Sequence, residues 1–182
     1  MQRLLALILP LALGATMATA AHAGRLAVGD TLPALTGERL SGDALHLPEA
    51  AHGKVALLAM GFSYASRHAV EAWVTRFRSE FGRDSAVTFY ELPMMSGFGA
   101  RMGKPFIDSG MRRGTPRELH PQVATVWKDV GAWKQRIGVA HSDLAYLLVL
   151  DRDGCVAWVG DGGTDLAGYE ALAKQVRGQI TR

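Results

Sequence analysis

Lys54-Val-Ala-Leu-Leu-Ala-Met-Gly-Phe-Ser-Tyr-Ala-Ser-Arg-His68 is the stretch on which the fold turns. Val55 to Phe62 is an unbroken apolar run of strand length, as expected of a strand covered on both faces. From Ser66 to Phe81 the period changes. Val70, Trp73, Val74, Phe77 and Phe81 fall on one face of a helix, and Arg67, Glu71, Arg78 and Ser79 fall away from it. Gly82 ends that helix. A buried strand therefore feeds directly into an amphipathic helix.

Further along, Ala86 to Leu92 is rich in β-branched and aromatic residues and reads as a second strand. Residues 93–121 break every simple period with glycines and prolines, and read as an insertion carrying one or two short helices. Val123 to Trp127 offers a strand, and Val130 to Ile137 a short helix stopped by Gly138. Ala145 to Leu150 is a third apolar strand. Asp151-Arg-Asp-Gly154 is a tight turn from which Cys155 to Gly160 pairs back as a hairpin. Leu166, Tyr169, Leu172, Ala173, Val176 and Ile180 recur at helical spacing after an N-cap expected at Thr164-Asp165. Ahead of all this, residues 28–35 and Leu45-His46-Leu47 suggest a short extended hairpin.

The chain has 182 residues, which suggests one domain. Its first 23 residues read as a secretory signal. Arg3 is a basic n-region, Leu4 to Leu13 is apolar, and Ala21-His22-Ala23 is an Ala-x-Ala cleavage site before Gly24. The apolar run is short for a membrane span of about 20 residues. Export to a periplasm with cleavage is expected, and an uncleaved membrane anchor is the alternative. The domain then occupies residues 24–182. A formal charge of +3, with no patterned basic face, gives no reason to expect nucleic acid as a partner. Cys155 is the one cysteine, so no intrachain disulfide can form and the core must suffice alone.

A βαβ unit followed by a ββα unit is the thioredoxin arrangement. Val28-Gly29-Asp30-x-x-Pro33, Gly53-Lys54-Val55 and Leu147-Leu-Val-Leu-Asp151-x-x-Gly154-x-x-x-Trp158-x-Gly160 resemble the exported thiol-disulfide reductases and peroxiredoxin-like proteins. That resemblance implies a thioredoxin-like α/β fold of three layers, a central mixed sheet with helices on both faces. It also implies where a redox site should be. In those enzymes the strand delivers Cys-x-x-Cys to a helix N-terminus, which lowers the thiol pKa. Here Ala65 stands at the attacking position and His68 at the resolving one, and Ala145 stands where the family places a cis-proline. Tyr64, Ala65, Ser66, Arg67, His68 and Ala145 form a relic active site with no catalytic residue expected. Ser66 reads as a helix cap rather than a nucleophile.

Copper carriers share this fold, so the residues that could hold a metal bear on function. His68, His120, His141 and the methionines Met94, Met95, Met102 and Met111 are the candidates. Copper(I) prefers thiolates and thioethers, and no cysteine pair is available. No metal and no cofactor is expected.

The insertion carries Arg101, Lys104, Arg112, Arg113 and Arg117, with Asp108 the only acid between them. Phe106, Ile107 and Met111 are interleaved. This composition suits an edge that binds a protein partner with acidic character, or a lipid headgroup. Gly61-Phe-Ser-x-x-x-x-x-x-Val70-x-x-Trp73, Arg112-Arg113 and Tyr146-Leu147-x-x-Leu150-Asp151 resemble the mitochondrial ATP synthase assembly factor family (ATP-ten), thioredoxin-type domains without the cysteine pair. That resemblance implies a chaperone-like protein acting on assembly of a membrane complex, with peripheral membrane contact. The secretory signal departs from that family's transit peptide. The leading expectation is an exported non-redox binding module working through Arg101, Lys104, Phe106, Arg112, Arg113 and Arg117. The alternative is a degenerate-site enzyme or metal carrier using the cleft around His68. A binding module predicts apolar exposure beside the basic insertion, and an enzyme predicts a closed polar pocket at His68.

Overall fold

The computed structural model describes residues 24–97 and 102–181; the expected signal segment lies outside them. β3 (Val55–Gly61) is buried at every position, because both of its faces are covered. α1 (Arg67–Phe81) follows and crosses over to β4 (Val87–Pro93), which pairs with β3 in parallel, Val55 opposite Val87 and Gly61 opposite Pro93. β6 (Ala145–Leu150) adds to the other side of β3 antiparallel, and β7 (Val156–Gly162) pairs back on β6. The main sheet thus runs β4-β3-β6-β7.

Alternation along these strands feeds two cores. Val55, Leu57, Ala59, Leu147 and Val149 face one side, where α1 packs with α4 (Tyr169–Ile180). Ala56, Leu58, Met60, Leu148 and Leu150 face the other. There Trp133 of α3 (Val130–Ile137) shares the cover with β1 (Leu35–Arg39) and β2 (Ala44–Leu47). The result is the expected three-layer α/β architecture, a mixed sheet with helices on both faces.

Several local expectations are corrected. The hairpin strands are β1 and β2, while Gly29 turns with φ +97° upstream of them. The Val123–Trp127 strand shrinks to β5 (Ala124–Thr125), which pairs with β1 rather than entering the main sheet. Isolated bridges from Val123 to Glu91 and from Val126 to Met94 dock this second sheet on the β4 edge. Cys155 lies just outside β7, bridged to Thr31, with its N–H donated to the Asp151 carboxylate. The last helix begins at Tyr169 and not at Thr164-Asp165, because Leu166 and Gly168 both take positive φ and break the helical path between them. α3 ends as expected: Gly138, at φ +73°, donates to the Lys134 and Gln135 carbonyls.

The described residues of the insertion include α2 (Lys104–Gly114) and a 3-10 turn (Arg117–Leu119). α2 buries none of its residues fully.

Candidate functional site: the turn after β3 and an exposed insertion helix

β3 ends at Gly61, which faces Ala145 across the sheet. The turn that follows is closed by reciprocal serine bonds. The Ser66 hydroxyl donates to the Ser63 carbonyl (2.8 Å) and accepts the Ser63 N–H (3.2 Å). The Ser63 hydroxyl accepts the Ser66 N–H (3.2 Å) and donates to the Ser142 carbonyl (2.7 Å). Ser66 is wholly buried, and a β-carbon on Gly61 would stand 2.7 Å from its Oγ. Ser66 therefore stitches the turn internally and does not cap the orphan amides of α1, as the sequence had suggested.

The opposite wall is fixed by Tyr146. Its hydroxyl accepts the N–H groups of Ala140 (2.9 Å) and His141 (3.0 Å) and donates to the His141 carbonyl (3.0 Å). Its ring meets Phe62 edge-on at 5.7 Å. Ala145 is buried between these elements. Sequence reasoning missed Ser63 and Tyr146. Tyr146 sits inside an apolar strand run, and nothing in that pattern says its hydroxyl ties down the preceding loop.

Of the six relic residues, Ser66 and Ala145 are buried, and Tyr64, Ala65, Arg67 and His68 are exposed at the tip. The Arg67 guanidinium stacks 4.0 Å from the Tyr64 ring centroid, and its Nε donates to His68 Nε2 at 3.3 Å. His68 lines an open, shallow groove of about 500 Å³ along α1, with Glu71, Ala72, Thr75 and Leu166. Among the described residues, no carboxylate hydrogen-bonds the His68 ring, as a base in nucleophilic catalysis would need. Among the described residues, no group of three or more His, Cys, Asp or Glu side chains could hold a metal ion.

The insertion residues divide in two. Lys104 turns inward: its Nζ lies 2.6 Å from Glu38 and 2.9 Å from Asp108, and 5.5 Å from the Trp127 ring centroid. Hydrogen bonds to Glu38, then Asp108, raise the Lys104 pKa above the ordinary lysine value. Lys104 thus ties α2 to β1 through Glu38. Arg112 donates its Nε to the Leu40 carbonyl (3.0 Å) and Arg113 donates Nη1 to the Ser109 hydroxyl (2.9 Å), yet both residues stay exposed. Arg117 is exposed on the 3-10 turn, beside Glu118. Phe106 is 84% exposed and Met102 69%. Ile107 and Met111 are half-buried; the Met111 sulfur accepts the Thr125 hydroxyl at 3.9 Å. Arg101 lies outside the described residues. A cavity of about 250 Å³ separates α2 from the β1–β2 turn, lined by Glu38, Arg39, Asp43, Asp108 and Arg112 among others.

One further group is chemically unusual. Glu91 faces α1 from β4, and its pKa is pushed up to about 7, first by burial and then by the Glu71 carboxylate, with Arg78 opposing.

No family model matches this chain, and neither does any curated protein. Solved structures do. The chain is similar to a putative thiol:disulfide interchange protein DsbE from Chlorobium tepidum, at 18% identity and a TM-score of 0.60, over 85% of this chain and 99% of that one. It is similar to the pneumococcal exposed lipoprotein thioredoxin Etrx1 from Streptococcus pneumoniae, at 13% identity and a TM-score of 0.54, over 80% and 98%. It is also similar to a thiol peroxidase from Chromobacterium violaceum, at 12% identity and a TM-score of 0.53, over 85% and 88%. At these identities the likeness establishes a thioredoxin-like fold and carries no activity with it.

Proposed function

We propose that this chain is an exported, periplasmic thioredoxin-fold protein that performs no dithiol chemistry and binds another protein through its insertion helix, as an assembly factor for a membrane complex does. The observation that carries the reading is the outward face of α2. Phe106 and Met102 are two of only four large apolar side chains left exposed among the described residues, and they share the insertion with the exposed Arg112, Arg113 and Arg117. Large exposed apolar groups among arginines are what interfaces are made of.

The cleft-based alternative has less support. His68 borders an open groove and no closed polar pocket. The positions that would need thiols hold Ala65 and His68. The similar structures include a thiol:disulfide interchange protein and an exposed lipoprotein thioredoxin, and the latter supports an exported setting. Resemblance to the ATP synthase assembly factor family supports the assembly role.

The test is capture of partners from the protein's own membrane fraction by wild type, by Arg112→Glu/Arg113→Glu, and by His68→Ala. Capture should be lost with the double reversal and kept with His68→Ala. Exposed charge changes shift stability by under about 0.5 kcal/mol, so circular dichroism separates lost binding from unfolding. Capture lost only with His68→Ala would move function to the cleft.

A further inference from the structure

Resting on the reading of α2 as a binding surface, we infer the chemistry of its partner: a protein segment that offers carboxylates to Arg112 and Arg113 and an apolar side chain to Phe106 and Met102.

The two arginines are not loose charges. Arg112 spends its Nε on the Leu40 carbonyl, which anchors the guanidinium while leaving its two terminal nitrogens without a partner among the described residues. Arg113 spends one terminal nitrogen on Ser109, one turn earlier in the same helix. Each guanidinium is therefore held by the protein's own groups and still presents N–H donors outward. A planar fork so held matches a carboxylate in two-point contact. Because part of its rotamer freedom is already spent, less is lost when a partner binds.

The acids of the neighbourhood are arranged to leave this charge standing. Asp108 and Glu38 are both taken up by Lys104, and Asp43 is paired with Arg39. Arg112 shares its cavity with Glu38, Asp43 and Asp108, whose carboxylates already pair with Lys104 and Arg39, and Arg113 and Arg117 are exposed with Glu118 the neighbouring acid in sequence. The surplus is positive, so the complementary surface is acidic. Phe106 lies seven residues before Arg113, two helical turns away on the same side, so these two share one stripe, while Arg112 stands round the helix toward Leu40 at the edge of that face. An aromatic side chain next to arginine is the common composition of a binding hot spot.

A bilayer surface fits less well. A helix lying in the headgroup region needs a long apolar face. On α2, Ile107 and Met111 are turned toward the body of the protein, and the outward side continues from Phe106 into Ser109, Gly110 and Arg113.

The distinguishing experiment uses charge-conserving variants. A lysine keeps the charge of arginine and loses its fork. The mature protein is titrated with three probes: an amphipathic helical peptide built from Glu and Leu, its Lys/Leu counterpart, and phosphatidylglycerol vesicles. Fluorescence anisotropy follows the peptides and co-sedimentation follows the vesicles. The Glu/Leu peptide should bind saturably, at least tenfold weaker with Arg112→Lys/Arg113→Lys, and weaker again with Phe106→Ser. The Lys/Leu peptide should not bind. Equal binding of both peptides overturns the inference, as does a Glu/Leu affinity indifferent to the lysine variants. Vesicle binding that survives those variants, with no peptide binding, replaces it with a bilayer contact. Membrane-fraction capture separates the two levels. Capture that needs α2 without Glu/Leu binding sinks only the partner chemistry, whereas capture indifferent to Arg112→Glu/Arg113→Glu sinks the binding surface itself.

Discussion

The carboxyl of Glu91 faces α1 from the edge strand β4, and burial together with Glu71 pushes its pKa to about 7. In the unfolded chain it returns to its ordinary value of 4.5. The folded state therefore holds the proton more tightly. Stability from this group is fully present below pH 4.5 and is lost as pH rises through 7, by about 3 kcal/mol at most. Thermal melts of wild type should fall between pH 4.5 and 8, whereas Glu91→Gln should melt higher at pH 8 and show a flatter profile. A wild-type profile no steeper than that of Glu91→Gln would mean the carboxyl is solvated. At the same scale sits Gly162, where a β-carbon would stand 2.5 Å from the Trp73 indole. Gly162→Ala should cost about 1–3 kcal/mol in chemical denaturation, as overpacking does. In a Trp73→Phe background, with a smaller ring in the same place, the cost should shrink; equal costs in both backgrounds would mean the ring is not what excludes the methyl group.

At the scale of elements, Trp73 couples α1 to the far end of the sheet. Its indole N–H donates to the Gly163 carbonyl (2.9 Å), and its ring lies 5.9 Å from Tyr169 at the start of α4. One side chain thus joins α1, the end of β7 and α4. Trp73→Ala should cost about 3–5 kcal/mol, a large part of the stability of a domain that no disulfide supports. A melting temperature within a degree or two of wild type would contradict this packing. Trp158 acts in the same way on Gly160: the indole edge occupies the space a β-carbon would need, 2.2 Å away. The Trp158-x-Gly160-x-Gly162 pattern is therefore a packing pattern, two indoles laid over glycines on one face of an edge strand. α2 has the opposite character. Ion pairs and hydrogen bonds, Lys104 to Glu38 and Arg112 to Leu40, fasten it to the hairpin, and exposed pairs of that kind contribute little to stability.

At the scale of the whole molecule, the fold is thioredoxin-like and the sequence holds one cysteine, Cys155, and no cysteine pair. The purified mature protein should neither reduce insulin disulfides nor consume peroxide at enzymatic rates, and Cys155→Ser should change neither result. Turnover comparable to a true reductase would overturn the non-redox reading. The architecture was legible in the chain because it rests on local periodicity. The all-buried β3, the α1 stripe ending at Phe81 and the β6–β7 hairpin are each written in consecutive residues. That a single cysteine leaves no Cys-x-x-Cys pair was legible directly, because it is a matter of residue identity. The start of α4 was not, because Thr164-Asp165 carry good cap chemistry and the positive φ of Leu166 is a property of the folded chain. Nor was the short reach of β5, since its partner β1 lies far away in sequence. The inward turn of Lys104 depends on Glu38, sixty-odd residues earlier, and the anchoring of Arg112 depends on the Leu40 carbonyl. The elevated pKa of Glu91 depends on α1 covering it. Sequence alone determined the elements, their order and the absence of a cysteine pair, because these follow from short-range pattern and residue identity. Tertiary structure decided which charges are spent and which are presented, because that depends on groups the chain brings together only by folding.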